Sequence, residues 1–179
     1  AKDIVFGTRN DASGLRRIMA LRYDGADVAG FPYVVSGPIL CHPAIGDVDN
    51  DGVKEIVVYS TWGMLYAVRQ DGTNLPGFPA SLTTSVGTTW VTSPALGDVD
   101  NDGDLEIGIA SNTAGTASRL LVFDTTGANA GKLRTGWPQH LPGSSEGSPT
   151  LGDINGDGNV DIIHGIGGGD TTAPNNLYA

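Results

Sequence analysis

GDVDNDGVKEIVV, residues 46–58, is the stretch on which the fold turns. It returns as GDVDNDGDLEIGI from Gly97 and, more loosely, as GDINGDGNVDIIH from Gly152. Numbered from its first acid, each copy has oxygen donors at positions 1, 3 and 5, a Gly at 6 and an acid at 9, followed by an apolar run. The donors are Asp47, Asp49, Asp51 and Glu55 in the first copy and Asp98, Asp100, Asp102 and Glu106 in the second. In the third they are Asp153, Asn155, Asp157 and Asp161. Hard oxygens packed this densely repel one another unless a hard cation such as Ca²⁺ neutralises them. Adding the position-7 carbonyl (Val53, Asp104, Asn159) gives one enclosed Ca²⁺ site per loop, three in all. Gly52, Gly103 and Gly158 permit the sharp bend.

The loops recur in phase with other features. A β-rich run follows each acid loop (Glu55–Tyr59, Glu106–Ala110, Asp161–Gly165), and Asp3–Gly7 matches that run with no loop before it. A second apolar run comes next (Ile18–Leu21, Leu65–Val68, Leu120–Phe123), and Leu177–Ala179 matches its start. Then come a turn signal (Asp24-Gly25, Asp71-Gly72, Thr126-Gly127) and a Gly-aromatic-Pro triplet ending at Pro32, Pro79 and Pro138. A Pro-led stretch at Pro43, Pro94 and Pro149 leads into each acid loop. Each period of about 50 residues therefore predicts four short strands, A to D, with the acid loop between A and B. No window has a helical period.

Four antiparallel strands per period is the blade of a β-propeller, so the expected fold is all-β. A parallel β-helix has shorter coils and a glycine-rich nonapeptide that GIGGGD (Gly165–Asp170) only brushes against. The expected division is a partial blade of strands B–D over 1–40, full blades over 41–90 and 91–146, and a partial blade of strands A–C over 147–179. About three and a half blades fall short of the four to eight of closed propellers. The expectation is a single propeller segment, 1–179, that belongs to a longer protein or closes by self-association.

The net charge of −10 argues against a nucleic-acid partner. The acidity is local: the loops, counting Asp104, hold 12 of the 20 acids, which leaves 8 acids facing 10 basic residues elsewhere. Cys41 is the single cysteine and cannot form an internal disulfide; its apolar segment predicts a small packed residue. No run of about 18 apolar residues predicts a membrane span.

An EF-hand shares positions 1, 3, 5 and 6 but needs a bidentate Glu at position 12 between two helices. Position 12 here is Val58, Ile109 and His164, and β-branched residues follow each loop, which also counts against a dockerin loop. The blander reading is a set of acid-rich turns that are merely solvated. A catalytic metal fits poorly, because loops this rich in oxygen surround the ion and leave little open coordination. The three histidines share no repeated position, and no nucleophile–base constellation is discernible.

The pattern P-A-[IL]-G-D-V-D-N-D-G-x-x-E-I, followed by L-Y-A, D-G and G-F-P, resembles the FG-GAP or VCBS repeats, which are similar to those of the integrin α-chain N-terminal propeller. The resemblance implies a propeller with Ca²⁺ in its A–B loops, an extracellular or cell-surface setting, and a binding or adhesive role without catalytic residues. The third loop departs from the pattern at Asn155 and Asp161, which implies weaker binding.

The expected function is therefore a non-catalytic, Ca²⁺-binding propeller segment of a secreted or cell-surface protein, serving adhesion, ligand binding or assembly. The alternatives are the propeller part of a secreted polysaccharide-acting enzyme, or a lectin. Strand alternation puts Trp62 and Trp90 at the end opposite the acid loops, where they could stack on a carbohydrate or meet a protein ligand. The competing expectation for both is packing between blades.

Overall fold

The run after each acid loop is rich in Val and Ile, residues that suit a strand buried on both faces. In the computed structural model, which describes residues 2–82, 90–112, 118–141, 147–166 and 176–178, the described residues form four antiparallel sheets. Sheet I holds β1 (Ile4–Gly7), β2 (Arg17–Leu21) and β3 (Tyr33–Val34). Sheet II holds β4 (Ala44–Gly46), β5 (Glu55–Ser60), β6 (Met64–Val68) and β7 (Ala80–Ser81). Sheet III contains β8 (Trp90–Val91), β9 (Ala95–Gly97), β10 (Glu106–Asn112), β11 (Ser118–Phe123) and β12 (Gln139–Leu141). Sheet IV is β13 (Thr150–Gly152), β14 (Asp161–Ile166) and β15 (Asn176–Tyr178).

The register repeats as well. Gly46 pairs with Glu55, Gly97 with Glu106 and Gly152 with Asp161, so each acid loop is closed by the same rung. Sheet III begins at Trp90, which pairs with Asn112. Its first strand is split into β8 and β9 because Pro94 cannot donate to the ladder. The Thr92 hydroxyl fills the gap, donating to Ala110 O and accepting from Ala110 N. Among the described residues the one helical turn is a 3₁₀ turn at Gly127–Asn129, which sequence periodicity did not predict.

The sheets stack face to face. All six residues of β5 are buried, and their side chains alternate between two cores. Val57 and Tyr59 meet Ile107, Ile109, Leu121 and Phe123 of sheet III. Ile56 and Val58 meet Ile18, Ala20 and Phe31 on the other side. A smaller core of Ala110, Leu120, Leu141 and Ile166 joins sheets III and IV. Fully burying a Val, Leu or Ile contributes roughly 1.5–3 kcal/mol, so these inter-sheet cores, rather than the turns, hold the stack together. Gly108 shows how close the sheets come, since a Cβ there would lie 3.0 Å from Leu151 Cδ1. Sheet I leaves Ile4 and Phe6 of β1 exposed on its outer side.

Sheet-to-sheet contacts also repeat. Strand β9 touches both β4 and β13, so the first strands lie beside one another. At their leading ends His42 N donates to Ser93 Oγ and Ser93 N to Ser148 Oγ, both at 2.9 Å. The Gly-aromatic-Pro triplets buttress the far edge. Phe31 and Phe78 are buried and Trp137 packs against the third core; all three aromatic–Pro bonds are cis. Gly30 and Gly77 have left-handed backbones and lie against the next sheet's turn. A Cβ would fall 2.0 Å from Asp71 O and 2.2 Å from Ala130 O respectively, so no side chain fits at either position. Cys41 is partly buried between two cores, with its thiol on Tyr59 O.

Candidate metal centre

Each loop is built by its own acids bonding to its own backbone. The position-1 carboxylate gathers the turn: Asp47 accepts from Asp51 N and Gly52 N, and Asp98 from Asp102 N and Gly103 N. Asp153 likewise accepts from Gly156, Asp157 and Gly158 N–H. The position-9 acid reaches back to the N–H at position 2. Glu55 Oε2 takes Val48 N at 3.1 Å, Glu106 Oε2 takes Val99 N at 2.8 Å, and Asp161 Oδ2 takes Ile154 N at 3.1 Å. At position 5, Asp51, Asp102 and Asp157 each accept the N–H at position 7, that of Val53, Asp104 and Asn159 respectively. Position 4 is left-handed throughout (Asn50, Asn101, Gly156), as short polar residues and glycine tolerate.

The two complete loops gather carboxylates. Oxygens of Asp47, Asp49 and Glu55 lie within 4.8 Å of one another, as do those of Asp98, Asp100 and Glu106. Positions 1, 3 and 9 thus converge, whereas Asp51 and Asp102 are exposed at the turn tip. In the first cluster Glu55 is fully buried, yet its Oε1 and Asp49 Oδ1 have no hydrogen-bond partner. Burial, the adjoining aspartates adding to it, pushes the Glu55 carboxyl up. Burial likewise pushes Glu106 up to about 7, against the Val99 N–H, which favours the charged form. A buried carboxylate with an unpaired oxygen facing two others is costly alone and suits a divalent cation.

The third loop differs. Its residues from Asp153 to Asn159 are exposed, and Asn155 Oδ1 accepts from Asp157 N. Backbone N–H groups of Gly158 and Gly156 hold Asp153 below the usual carboxylate range.

Groups from later in the same sheet and from the neighbouring sheet, which sequence reasoning missed, also reach the loops. Arg69 Nη2 meets Asp49 Oδ2 at 3.1 Å, and Arg134 Nη2 binds Asp100 Oδ2. Thr125 Oγ1 of sheet III donates to Val48 O inside the first loop, and Thr126 Oγ1 to Asp104. Asn101 Nδ2 reaches Asn159 Oδ1 in the third loop at 3.0 Å, while Asn50 Nδ2 lies against Gly103 in the second. The acid loops are therefore tied to one another in series. A polar cavity of about 360 Å³, lined by Asp100, Glu106, Asp124, Thr126, Asn129 and Arg134, opens beside the second loop.

At the opposite end Trp62, in the β5–β6 turn, is 51% exposed with the Arg16 guanidinium 4.4 Å from its ring centroid. The Trp90 side chain, Gly167–Asp170 and the segment 171–175 lie outside the described residues. No helix among the described residues is long and apolar enough to cross a membrane.

No curated protein matches the chain. Among solved structures it is similar to the biofilm matrix protein Bap1 of V. cholerae, at 19% identity and a TM-score of 0.50. That likeness covers 92% of this chain and 31% of that one, so the chain spans about a third of its length; at this identity it concerns the fold alone. The family comparison reaches the loops themselves, matching the FG-GAP-like repeat from residue 47 to residue 109. The stretch that carries both carboxylate clusters and the strands they feed is thus the part of the chain that is similar to the FG-GAP-like repeat.

Proposed function

We propose that this chain is a Ca²⁺-stabilised, non-catalytic segment of an extracellular β-propeller, serving adhesion, ligand binding or assembly. The observation that carries the metal reading is the buried Glu55, which clusters with Asp47 and Asp49 and has an Oε1 without a hydrogen-bond partner; Asp49 Oδ1 also lacks one. The ligands are the side chains at positions 1, 3, 5 and 9 with the carbonyl at position 7, one Ca²⁺ per loop. The third and most exposed site is the weakest. A bound cation supplies charge neutralisation and cross-links a strand-to-strand turn. The chain's own part is to hold the position-1 and position-9 carboxylates on backbone N–H groups, so the loop keeps its shape before the ion arrives.

Face-to-face sheets with adjacent first strands support the propeller reading, with blades over 1–40, 41–90, 91–146 and 147–179. Millimolar extracellular Ca²⁺ fills even weak sites, and likeness to a biofilm matrix protein supports a location outside the cell. A calcium titration followed by calorimetry and thermal melting tests the reading. The expected result is binding at the two complete loops, with a melting temperature that EGTA lowers; unchanged melting and no heat of binding refute it.

The exposure of Trp62 favours a contact surface at the far end, for a carbohydrate or protein partner. A glycan array probed with the chain and with Trp62→Ala tests the carbohydrate form. Binding that survives the substitution removes Trp62 from the site.

A further inference from the structure

We infer that Arg69 and Arg134 are positioning residues of the first and second cation loops, doing one job from two non-equivalent places in the repeat. The argument rests on the calcium reading above. The equivalence of the two sheets is fixed by backbone contacts. Val68 pairs with Ile56 and Phe123 with Ile107, so Arg69 and Asp124, the next residues, correspond. Leu75 N donates to Ala67 O and Arg134 N to Val122 O, so Leu75 and Arg134 correspond. Sheet II therefore has Arg and Leu where sheet III has Asp and Arg. The guanidinium has changed strands, yet in both sheets it ends on Oδ2 of the position-3 aspartate.

Each guanidinium is anchored at its other nitrogen. Arg69 Nη1 donates to Asn74 O at 3.2 Å, and Arg134 Nη1 to Asp124 Oδ1 at 2.9 Å. The anchor explains the exchange: moving the arginine to the Leu75 position leaves the old arginine position free for Asp124, which holds the new one. In the first loop the clamp takes Asp49 Oδ2 and leaves Oδ1 buried and without a hydrogen-bond partner. That is how an outer partner orients a carboxylate ligand: one oxygen is held from behind and the other is presented to the ion.

A guanidinium beside a cation site could instead repel the ion. The charge count decides between the two. The second loop carries five acids, with Asp124 beside them, so one Ca²⁺ and one arginine leave the site negative. Orientation should therefore outweigh repulsion. At Glu106 Oε1 the Arg134 guanidinium stands 3.9 Å away, outside hydrogen-bond distance, and leaves that oxygen to a ligand. Among the described residues no basic side chain is paired with the third loop.

The test isolates the second site in a parent carrying Glu55→Gln and Asp161→Asn, titrated with Ca²⁺ by calorimetry. Arg134→Leu should weaken binding about 10- to 100-fold, the usual effect of losing an outer-sphere partner, while the far-UV spectrum in EDTA is unchanged. Arg134→Lys should recover part of that loss. The decisive variant is Asp124→Arg with Arg134→Leu, which copies the sheet II arrangement and should bind within about threefold of the parent. Equal or tighter binding by Arg134→Leu overturns the inference. So does a folded double variant that binds about tenfold or more weakly than the parent, an outcome that stays readable should Arg134→Leu alone misfold. A parent that binds no Ca²⁺ defeats the calcium reading and this inference with it; a parent that binds, with an indifferent Arg134→Leu, defeats the arginine assignment alone.

Discussion

Glu55→Gln separates the two roles of a buried acid, because its effect should change sign with the ion. Glu55 is fully buried, and its cluster partners Asp47 and Asp49 offer oxygens within 4.8 Å. At an effective dielectric constant of about 20, two like charges at that spacing repel by about 3.5 kcal/mol. Both aspartates are partly exposed, so solvent screening reduces the net relief on removing one charge to about 1–2 kcal/mol. The glutamine carbonyl still accepts the Val48 N–H. In EGTA at pH 8, where the carboxylate form is favoured, the variant should therefore melt above the wild type, by about 2–8 °C at the 2–4 °C per kcal/mol typical of chains of this size. With Ca²⁺ at about 100 times Kd, the wild type gains about 2.7 kcal/mol per occupied site. Glu55→Gln forfeits that gain at the first loop, and the order of melting temperatures inverts. Scanning fluorimetry in EGTA and in Ca²⁺ reads both arms. A variant that melts below the wild type in EGTA, or that gains as much from Ca²⁺, refutes the reasoning.

Two further outcomes follow from the packing and the titrating groups. Gly77→Ala should cost about 3 kcal/mol or more, since its Cβ would strike Ala130 O at 2.2 Å, whereas Gly25→Ala, with the same left-handed backbone (φ +83) but open space, should cost about 1–2 kcal/mol. Denaturant melts of the pair isolate the inter-sheet contact, and equal costs would contradict it. His164 is buried, and burial lowers its pKa below 6.5. The unfolded chain then takes up the proton first as pH falls, so this group's stability is present above about 6.5 and lost on acidification towards the folded pKa. His164→Phe should flatten that slope in urea melts between pH 5 and 7; a slope that persists unchanged assigns it to other groups.

What could be read from the sequence was whatever repeats with the chain's own register. The acid loops, the apolar run behind each and the Gly-aromatic-Pro triplet all act through local backbone geometry or through strand pairing fixed by it, so equivalent letters fall on equivalent sites. The link His42–Ser93–Ser148 joins the residues just before the repeated Pro43, Pro94 and Pro149, but its hydrogen bonds were not legible there. The contacts that escaped reading are those in which one repeat's side chain completes another's loop. Asn50 and Asn101 read as loop acids' neighbours, but a left-handed backbone turns them toward the following loop. The position-5 aspartates read as equal members of the donor set, but each first serves the N–H two residues on. Arg69 and Arg134 escaped for a stronger reason. Comparing repeats column by column assumes that a function stays at one position, and an arginine side chain is long enough to break that assumption. From either of two positions on facing strands it reaches the same aspartate oxygen, so the column shows Arg against Asp and Leu against Arg, two apparent losses of pattern. Read by the atom contacted rather than by the column, the exchange is a conserved charge with a compensating anchor, and the irregular third sheet keeps what the regular second one has.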